Sequence, residues 1–330
     1  MGVDAALTPT YTSPPLAVDL LQWIHLLIQL SGGRMRFGDL EIDLVSDGVV
    51  WLDAGGPFGL VPRELFQRVF PLRSDNTVPM SLTCMLVRSR GKTILVDTGL
   101  GTKLKPEERG RWRLERADGD LLKALAKIGI SAEEIDIVIN THLHADHCGG
   151  NTTREGDAIV ATFPRAEYWV QRIEWAEAYH PDERTRGTYF HKNYVPLMEE
   201  GRLRLLHGNT EVTDQVECIV TPGHTRGHQS VRLRADSWDG LYLGDMATYA
   251  VHFAHTSWLT AYDVLPLENV ETKKRWQHWA LKKRAWLFLE HDPLMPVVHL
   301  VERDGRKDIL PIEAAQPLID LLPRQLQPLE

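Results

Sequence analysis

The stretch His142-Leu143-His144-Ala145-Asp146-His147 decides the fold of this 330-residue chain. It follows the apolar run from Ile135 to Ile139 and precedes Gly149-Gly150. On one α-helix, imidazoles two residues apart would diverge by roughly 200° and could not converge on one ion. On a strand, Asp146 and His147 would point to opposite faces. The spacing therefore predicts a loop that leaves a buried strand. Its four metal-ligand side chains predict half of a two-metal site, because one ion rarely takes four ligands from one segment.

Three later residues are candidates for the rest of this site. His224, Asp245 and His291 each stand at the end of a short apolar run. The end of a buried strand lets a rigid scaffold present a side chain to a shared cleft. We therefore expect these three side chains to meet the first four.

Together these motifs resemble those of the metallo-β-lactamase superfamily. The matching features are the HxHxDH run, the PGHT turn at 222–225, the Gly244-Asp245 pair, His291 and the strand TILVDTG at 93–99. The resemblance covers roughly residues 36 to 300 of the chain. It implies an α/β (α+β) fold, namely an αββα sandwich of two mixed sheets with outer helices. Clusters of predicted strands with helices between them favour the same layered arrangement.

The resemblance also implies a role for each motif residue. The first metal would be bound by three imidazoles, those of His142, His144 and His224. The second metal would be bound by one carboxylate and two imidazoles, those of Asp146, His147 and His291. Asp245 would bridge both metals, and Asp97 would orient the HxHxDH loop by hydrogen bonding. The implied cofactors are two divalent ions, zinc first, with iron, manganese or cobalt as alternatives.

The chemistry expected of such a site is hydrolysis by a hydroxide that bridges the two metals. The segments at 81–84 and 290–293 resemble the branch that holds quorum-quenching N-acyl homoserine lactone lactonases and methyl-parathion-hydrolase-like enzymes. We therefore expect a lactone or ester as the small-molecule substrate. Phosphotriester hydrolysis, glyoxalase-II-like thioester hydrolysis and mono-iron persulfide dioxygenation are the alternatives. The complete set of second-metal ligands argues against the last of these.

Two further catalytic roles and a substrate pocket are predicted. Asp146 is a candidate for passing a proton to the leaving group. Lactonases of this branch commonly place a tyrosine three residues after the bridging Asp, where this chain has Thr248, so the next residue, Tyr249, is the candidate for holding the substrate oxygen. The candidate pocket residues are Phe58, Leu60, Tyr249, Phe253 and Trp258. An apolar lining would favour an acyl chain or an aromatic ester over a sugar or nucleotide.

The composition limits the binding partners and the cellular compartment that we expect for this protein. The formal net charge is −8 and no basic patch is interleaved with aromatics, which excludes nucleic acid as a partner. The three cysteines, an odd number in apolar settings, predict free buried thiols and a cytoplasmic, reducing location.

The chain divides into an N-terminal extension, residues 1–34, and a catalytic domain, residues 35–330. Apolar positions recur at helical spacing between Leu16 and Leu30, which predicts an amphipathic helix. That stretch is too short and too polar to span a bilayer, so we expect no integral membrane segment. It is a candidate contact in a homodimer. Within the domain, Phe37 to Leu52 predicts two strands with a turn at 46–48, and Asn269 to Glu290 predicts a long helix that runs into a final strand.

Overall fold

The computed structural model describes residues 34–117 and 119–312. The strands, in chain order, are β1 (Met35–Phe37), β2 (Leu40–Asp53), β3 (Thr77–Ser89), β4 (Lys92–Val96), β5 (Ile137–Ile139), β6 (Thr152–Glu155), β7 (Ala158–Ala161), β8 (Glu167–Gln171), β9 (Leu203–Leu206), β10 (Thr210–Thr213), β11 (Val216–Val220), β12 (Gln229–Ala235), β13 (Trp238–Tyr242), β14 (Trp286–Phe288), β15 (Val297–Arg303) and β16 (Arg306–Pro311). The α-helices of the described residues are α1 (Gly55–Phe58), α2 (Arg63–Phe66), α3 (Pro106–Trp112), α4 (Leu121–Lys127), α5 (Ala145–Cys148), α6 (Arg172–Tyr179), α7 (Val195–Glu199), α8 (Ala250–Ala254) and α9 (Pro266–Lys283).

Two seven-stranded sheets form the centre of the molecule. The first has the order β1-β2-β3-β4-β5-β8-β9, and the second runs in sequence from β10 to β16. Both sheets are mixed, because β4, β5, β8 and β9 pair in parallel in the first and β13 pairs with β14 in parallel in the second. The short strands β6 and β7 form a separate hairpin.

Apolar side chains join these elements into four layers. Met85 and Val96 of the first sheet share one buried cluster with Val231 and Phe288 of the second, so the two sheets pack face to face. A second cluster lies between the first sheet and helices α4, α6 and α7. A third lies between the second sheet and helices α8 and α9. The predicted αββα sandwich of two mixed sheets is therefore confirmed.

The turn predicted at 46–48 is wrong, because β2 continues through this segment as one strand. The pairing of β2 with β3 shifts register between Ser46 and Val49, so the Ser-Asp-Gly sequence forms a bulge. The bulge directs the buried Asp47 carboxylate to the backbone N–H groups of Gly101 and Leu121. Turn-forming residues fit a bulge as well as they fit a turn, and the sequence does not distinguish the two.

The predicted C-terminal helix and final strand also need correction. Helix α9 ends at Lys283, and the short buried strand β14 follows it. The hairpin of β15 and β16 then extends the second sheet beyond β14. Most side chains of β16 are half-buried or exposed, so its sequence lacks the continuous apolar run that would mark a central strand.

The expected amphipathic helix between Leu16 and Leu30 lies outside the described residues, and its role as a dimer contact stays a prediction. Within 34–117 and 119–312, no helix has the length and apolarity needed to cross a membrane.

Candidate metal centre

Seven buried side chains meet at one edge of the two sheets. Each follows a strand: the HxHxDH segment follows β5, His224 follows β11, Asp245 follows β13 and His291 follows β14. Their ligand atoms fall into three groups whose members lie within 4.8 Å of one another. These groups are His142, His144 and His224; His142, His147 and Asp245; and Asp146, His147 and His291. The structure thus brings together all seven ligands expected from the sequence.

The first group consists of three imidazoles whose nitrogens face one another. His144 Nδ1 lies 2.9 Å from His142 Nε2 and 3.1 Å from His224 Nε2. Nitrogens bound tetrahedrally to one zinc at about 2.0–2.1 Å would be about 3.3 Å apart. Burial, together with the neighbouring imidazoles, holds the pKa of His142 and of His144 well below the ordinary value. Both rings are therefore neutral and offer lone pairs to a cation.

The group of Asp146, His147 and His291, called the second group from here on, combines one carboxylate with two imidazoles. His291 Nε2 lies 3.1 Å from His147 Nε2, and the Asp146 carboxylate lies 3.9 Å from His147 Nε2 and 4.0 Å from His291 Nε2. The Nδ1–H group of His291 donates to the carbonyl of Ser81. Since that hydrogen bond fixes the tautomer, the Nε2 lone pair of His291 faces the cluster.

Asp245 lies between the two groups. Its Oδ2 is 3.1 Å from His224 Nε2, and its Oδ1 is 3.1 Å from His291 Nε2. Burial would raise the pKa of Asp245, but the imidazoles of His291, His224 and His147 hold it well below the ordinary value. The carboxylate is therefore ionised and has one oxygen toward each group, which is the arrangement that a bridging ligand requires.

Asp97 holds the HxHxDH loop in place. Its carboxylate accepts hydrogen bonds from the backbone N–H and the hydroxyl of Thr141 and from Nδ1 of His147. Glu290 Oε2 lies 3.0 Å from the same His147 nitrogen. Burial alone would lower the pKa of His147, but the carboxylates of Glu290, Asp146 and Asp245 raise it well above the ordinary value. With Nδ1 occupied, Nε2 of His147 faces the cluster.

Two buried carboxylates that sequence reasoning missed support the first group. Asp263 accepts a hydrogen bond from Nδ1 of His224 at 3.0 Å, which leaves Nε2 for a metal. Glu174 accepts from the backbone N–H of Leu143 and from the hydroxyl of Thr225, and so links the HxHxDH loop to the PGHT turn. Neither carboxylate lies near its partner in the sequence, so no local pattern indicated them.

His228 positions Asp245 and does not belong to the three ligand groups. Its Nε2 accepts a hydrogen bond from the backbone N–H of Asp245 at 3.0 Å. Burial, with the charge of His224, lowers the pKa of His228 to about 3. The ring is therefore neutral and acts as an acceptor. Gly244 has φ of +53°, and a β-carbon there would lie 2.7 Å from His228 Nε2, so glycine allows this approach.

A cavity of about 350 Å³ opens beside the two groups. Four of the candidate ligands line one of its walls: His144, Asp146, His224 and Asp245. The rest of the lining comes from separate segments: Leu52, Met80, Arg111, Trp112, Arg184, Thr185, Thr188, Thr248, Ala261 and Tyr262. We call this second set the substrate wall.

The five residues predicted for the pocket do not line this cavity, so that prediction needs correction. Phe58, Tyr249 and Phe253 are completely buried in the apolar interior. The hydroxyl of Tyr249 donates to the carbonyl of Pro79, so it is not free to hold a substrate oxygen. Leu60 is fully exposed and lines a neighbouring cavity together with Trp258. Apolar residues near a site in sequence mostly serve packing.

Comparisons with a family model, with curated proteins and with solved structures all match this chain to the same family of metal-dependent hydrolases. The family model for the metallo-beta-lactamase superfamily matches residues 78–291. An N-acyl homoserine lactonase from a Bacillus species is 27% identical over 233 residues, which cover 67% of this chain and 85% of that protein. A probable metal-dependent hydrolase from Staphylococcus aureus has a TM-score of 0.77 at 25% identity, with 84% of this chain and 99% of that chain covered. AidC, a dizinc quorum-quenching lactonase in complex with a product, has a TM-score of 0.70 at 21% identity over 84% and 96% of the two chains, which shows a shared fold.

The family match spans more than half of the chain and includes every candidate ligand from His142 to His291. The two mixed sheets and the seven converging side chains agree with that match. The chain is therefore a metal-dependent hydrolase that belongs to the metallo-beta-lactamase superfamily.

Proposed function

We propose that this chain is a dinuclear hydrolase that opens a lactone or cleaves a carboxylic ester, with an N-acyl homoserine lactone as the first candidate substrate. The observation that carries this proposal is the Asp245 carboxylate, whose two oxygens face separate groups of ligands. The similarity to N-acyl homoserine lactonases supports the substrate class. The cavity volume of about 350 Å³ lies within the range of small-molecule sites.

We assign the first metal to His142, His144 and His224, the second to Asp146, His147 and His291, and the bridge to Asp245. The donor set fits two divalent ions, because each imidazole directs one ring nitrogen toward its group. Imidazole and carboxylate together suit zinc. Two such ions would supply a nucleophile from water near neutral pH and a Lewis acid for the substrate carbonyl.

Side chains of this protein orient the metal ligands and transfer the proton to the leaving group. Asp263 keeps His224 oriented, and Asp97 with Glu290 keeps His147 oriented. We propose that Asp146 passes a proton to the leaving oxygen of the substrate, and its position in the cavity lining supports this role. We further propose that residues 35–330 form one catalytic domain. The three buried free thiols support a reducing, cytoplasmic location.

Metal analysis beside a substrate panel tests this proposal. The protein is purified without chelator, its metal content is measured by elemental analysis, and hydrolysis is followed in a pH-stat. The panel holds acyl homoserine lactones, aryl esters and phosphotriesters. We expect about two metals per chain and fastest hydrolysis of the lactones. Two metals with a preference for phosphotriesters would contradict the substrate assignment, and a single iron without hydrolysis would contradict the dinuclear mechanism.

A further inference from the structure

The substrate wall carries a positive charge that the described residues leave unpaired. Arg111 stands in the last turn of helix α3, is exposed and lines the cavity beside Asp146 and Asp245. Among residues 34–117 and 119–312, its guanidinium has no hydrogen bond or ion pair. Arg113, two residues later, points its guanidinium to Asp75 instead. Of Arg109, Arg111 and Arg113, Arg111 is the arginine that lines the cavity.

A second arginine lies at the same cavity and is held in place by backbone. Nη2 of Arg184 donates to the carbonyls of Ala261, at 2.6 Å, and Asp263, at 3.0 Å. These contacts fix the guanidinium at the rim without neutralising it, because neither acceptor is charged. No ion pair to Arg184 occurs in the part of the chain that the structure describes. Two cationic side chains therefore border one cavity of a chain whose net charge is −8.

The remaining substrate wall is largely apolar. Leu52, Met80 and Trp112 line the cavity together with the two arginines. Apolar side chains accommodate a hydrocarbon or aromatic body, and a guanidinium binds a carboxylate or phosphate through parallel N–H groups. The charges of Arg111 and Arg184 also attract an anionic group on the ligand during its approach. Apolar side chains beside two arginines fit a ligand with an apolar body and an anionic group. A neutral acyl lactone does not need the two cationic side chains.

We infer that the preferred substrate is an ester or lactone that bears a negatively charged group, and that Arg111 binds this group. The inference rests on the proposed hydrolysis of a lactone or ester, and within that class it favours an anionic substrate over a neutral acyl homoserine lactone. Arg111 is here a specificity-determining residue: it contacts the substrate away from the bond that is cut. Arg184 adds to the potential from its fixed position.

A matched pair of aryl esters tests this inference on the metal-loaded enzyme. The anionic member is 4-acetoxybenzoate, and the neutral member is its methyl ester. We expect wild type to prefer the anionic ester in kcat/KM. Arg111→Gln should reduce the ratio of anionic to neutral kcat/KM by about tenfold, mainly through KM, which is the usual effect of losing one charge-assisted hydrogen bond. Arg111→Lys keeps the charge but loses the parallel N–H groups, so its ratio should lie between those of wild type and Arg111→Gln.

Arg109→Gln is the matched control. Arg109 is exposed on the same helix and does not line the cavity, so this variant should keep the wild-type ratio. Equal kcat/KM for the two esters in wild type, or equal loss of the ratio in Arg109→Gln and Arg111→Gln, would overturn the inference. Metal content is measured for each variant to show that the metal centre is unchanged.

Binding gives a readout that does not depend on turnover. Calorimetric titration compares 4-hydroxybenzoate with its methyl ester. Tighter binding of the acid to wild type, lost in Arg111→Gln and kept in Arg109→Gln, supports the inference even if neither ester is hydrolysed. Absence of hydrolysis alone would count against the proposed function. Equal binding of the acid to wild type and to Arg111→Gln would place the carboxylate elsewhere, for example on the metals, and would overturn the inference.

Discussion

The seven candidate ligands, called the ligand wall because four of them line the cavity, differ in structural origin from the substrate wall of the same cavity. The seven candidate ligands follow buried strands. Three of their five imidazoles, those of His147, His224 and His291, are oriented by a hydrogen bond at Nδ1. The substrate wall comes from segments that contribute no ligand, such as the end of β2, helix α3 and the loop at 182–188. Changes in the ligand wall should therefore affect every substrate alike. Changes in the substrate wall should discriminate between substrates and leave the metals bound.

The largest effect is expected from Asp245→Ala. Because Asp245 lies between both ligand groups, its loss should lower the metal content below two per chain and reduce hydrolysis by at least about 10³-fold for every substrate. Elemental analysis and the pH-stat panel measure both quantities. Asp239→Ala is the control, since Asp239 lies on β13 and pairs with Arg232 and Lys283 instead. Full activity with one metal per chain would rule out the bridged mechanism.

A smaller but still general effect is expected from Asp263→Asn. The amide keeps the shape of the side chain but weakens the hydrogen bond that orients His224. Loss of such a partner typically costs about 10- to 100-fold in metal affinity or activity. Competition with a chromophoric chelator measures the affinity, and Asp239→Asn is the matched control. Unchanged metal affinity would show that packing alone orients His224.

In the substrate wall, Trp112→Ala should act selectively. Removing this aromatic side chain takes apolar contact area from the ligand, and we expect KM to rise by about tenfold for aryl or long-chain acyl substrates and less for short ones. Metal content should stay at the wild-type value. Leu267→Ala, which changes an exposed side chain away from the cavity, is the control. An equal rise in KM for all substrates would remove the distinction between the two walls.

The smallest effect is expected from Tyr249→Phe. The hydroxyl donates to the carbonyl of Pro79 in the interior, so its loss should lower the free energy of unfolding by about 0.5–1.5 kcal/mol. Turnover of lactones should not change. Denaturant titration and steady-state kinetics measure the two quantities. A marked fall in kcat would show that the Tyr249 hydroxyl contacts the substrate, and it would contradict the buried position of this side chain.

The two walls also differ in how far sequence alone predicts them. The ligands are recognisable because coordination demands particular side chains at strand ends, and few other patterns place three imidazoles and a carboxylate in six residues. Thr248 and Tyr249 show why the substrate wall is harder. Tyr249 has extended backbone angles, so successive side chains point in opposite directions. Thr248 lines the cavity and its larger neighbour faces the interior.

Asp263 and Glu174 illustrate a second limit of sequence reasoning. Asp263 lies 39 positions from His224, and Glu174 lies 31 positions from Leu143 and 51 from Thr225. A partnership over such separations depends on how loops from different layers come together, which no periodicity records. The αββα layers were predictable because alternating and continuous apolar runs are repeated along many strands. The bulge at Asp47 was not predictable, since the same residue types occur in turns and in bulges.

The hydrogen bond between His291 and Ser81 determines when the centre is completed. It joins residues 210 positions apart, and the backbone N–H of Ser81 returns a bond to the carbonyl of His291. During synthesis, all strands of the first sheet precede this last ligand along the chain. Contacts of such long range form late in folding because loop closure precedes them. In the proposed two-metal centre, the second metal would therefore be bound late in folding, and the rate of its binding would report the docking of the two halves of the chain.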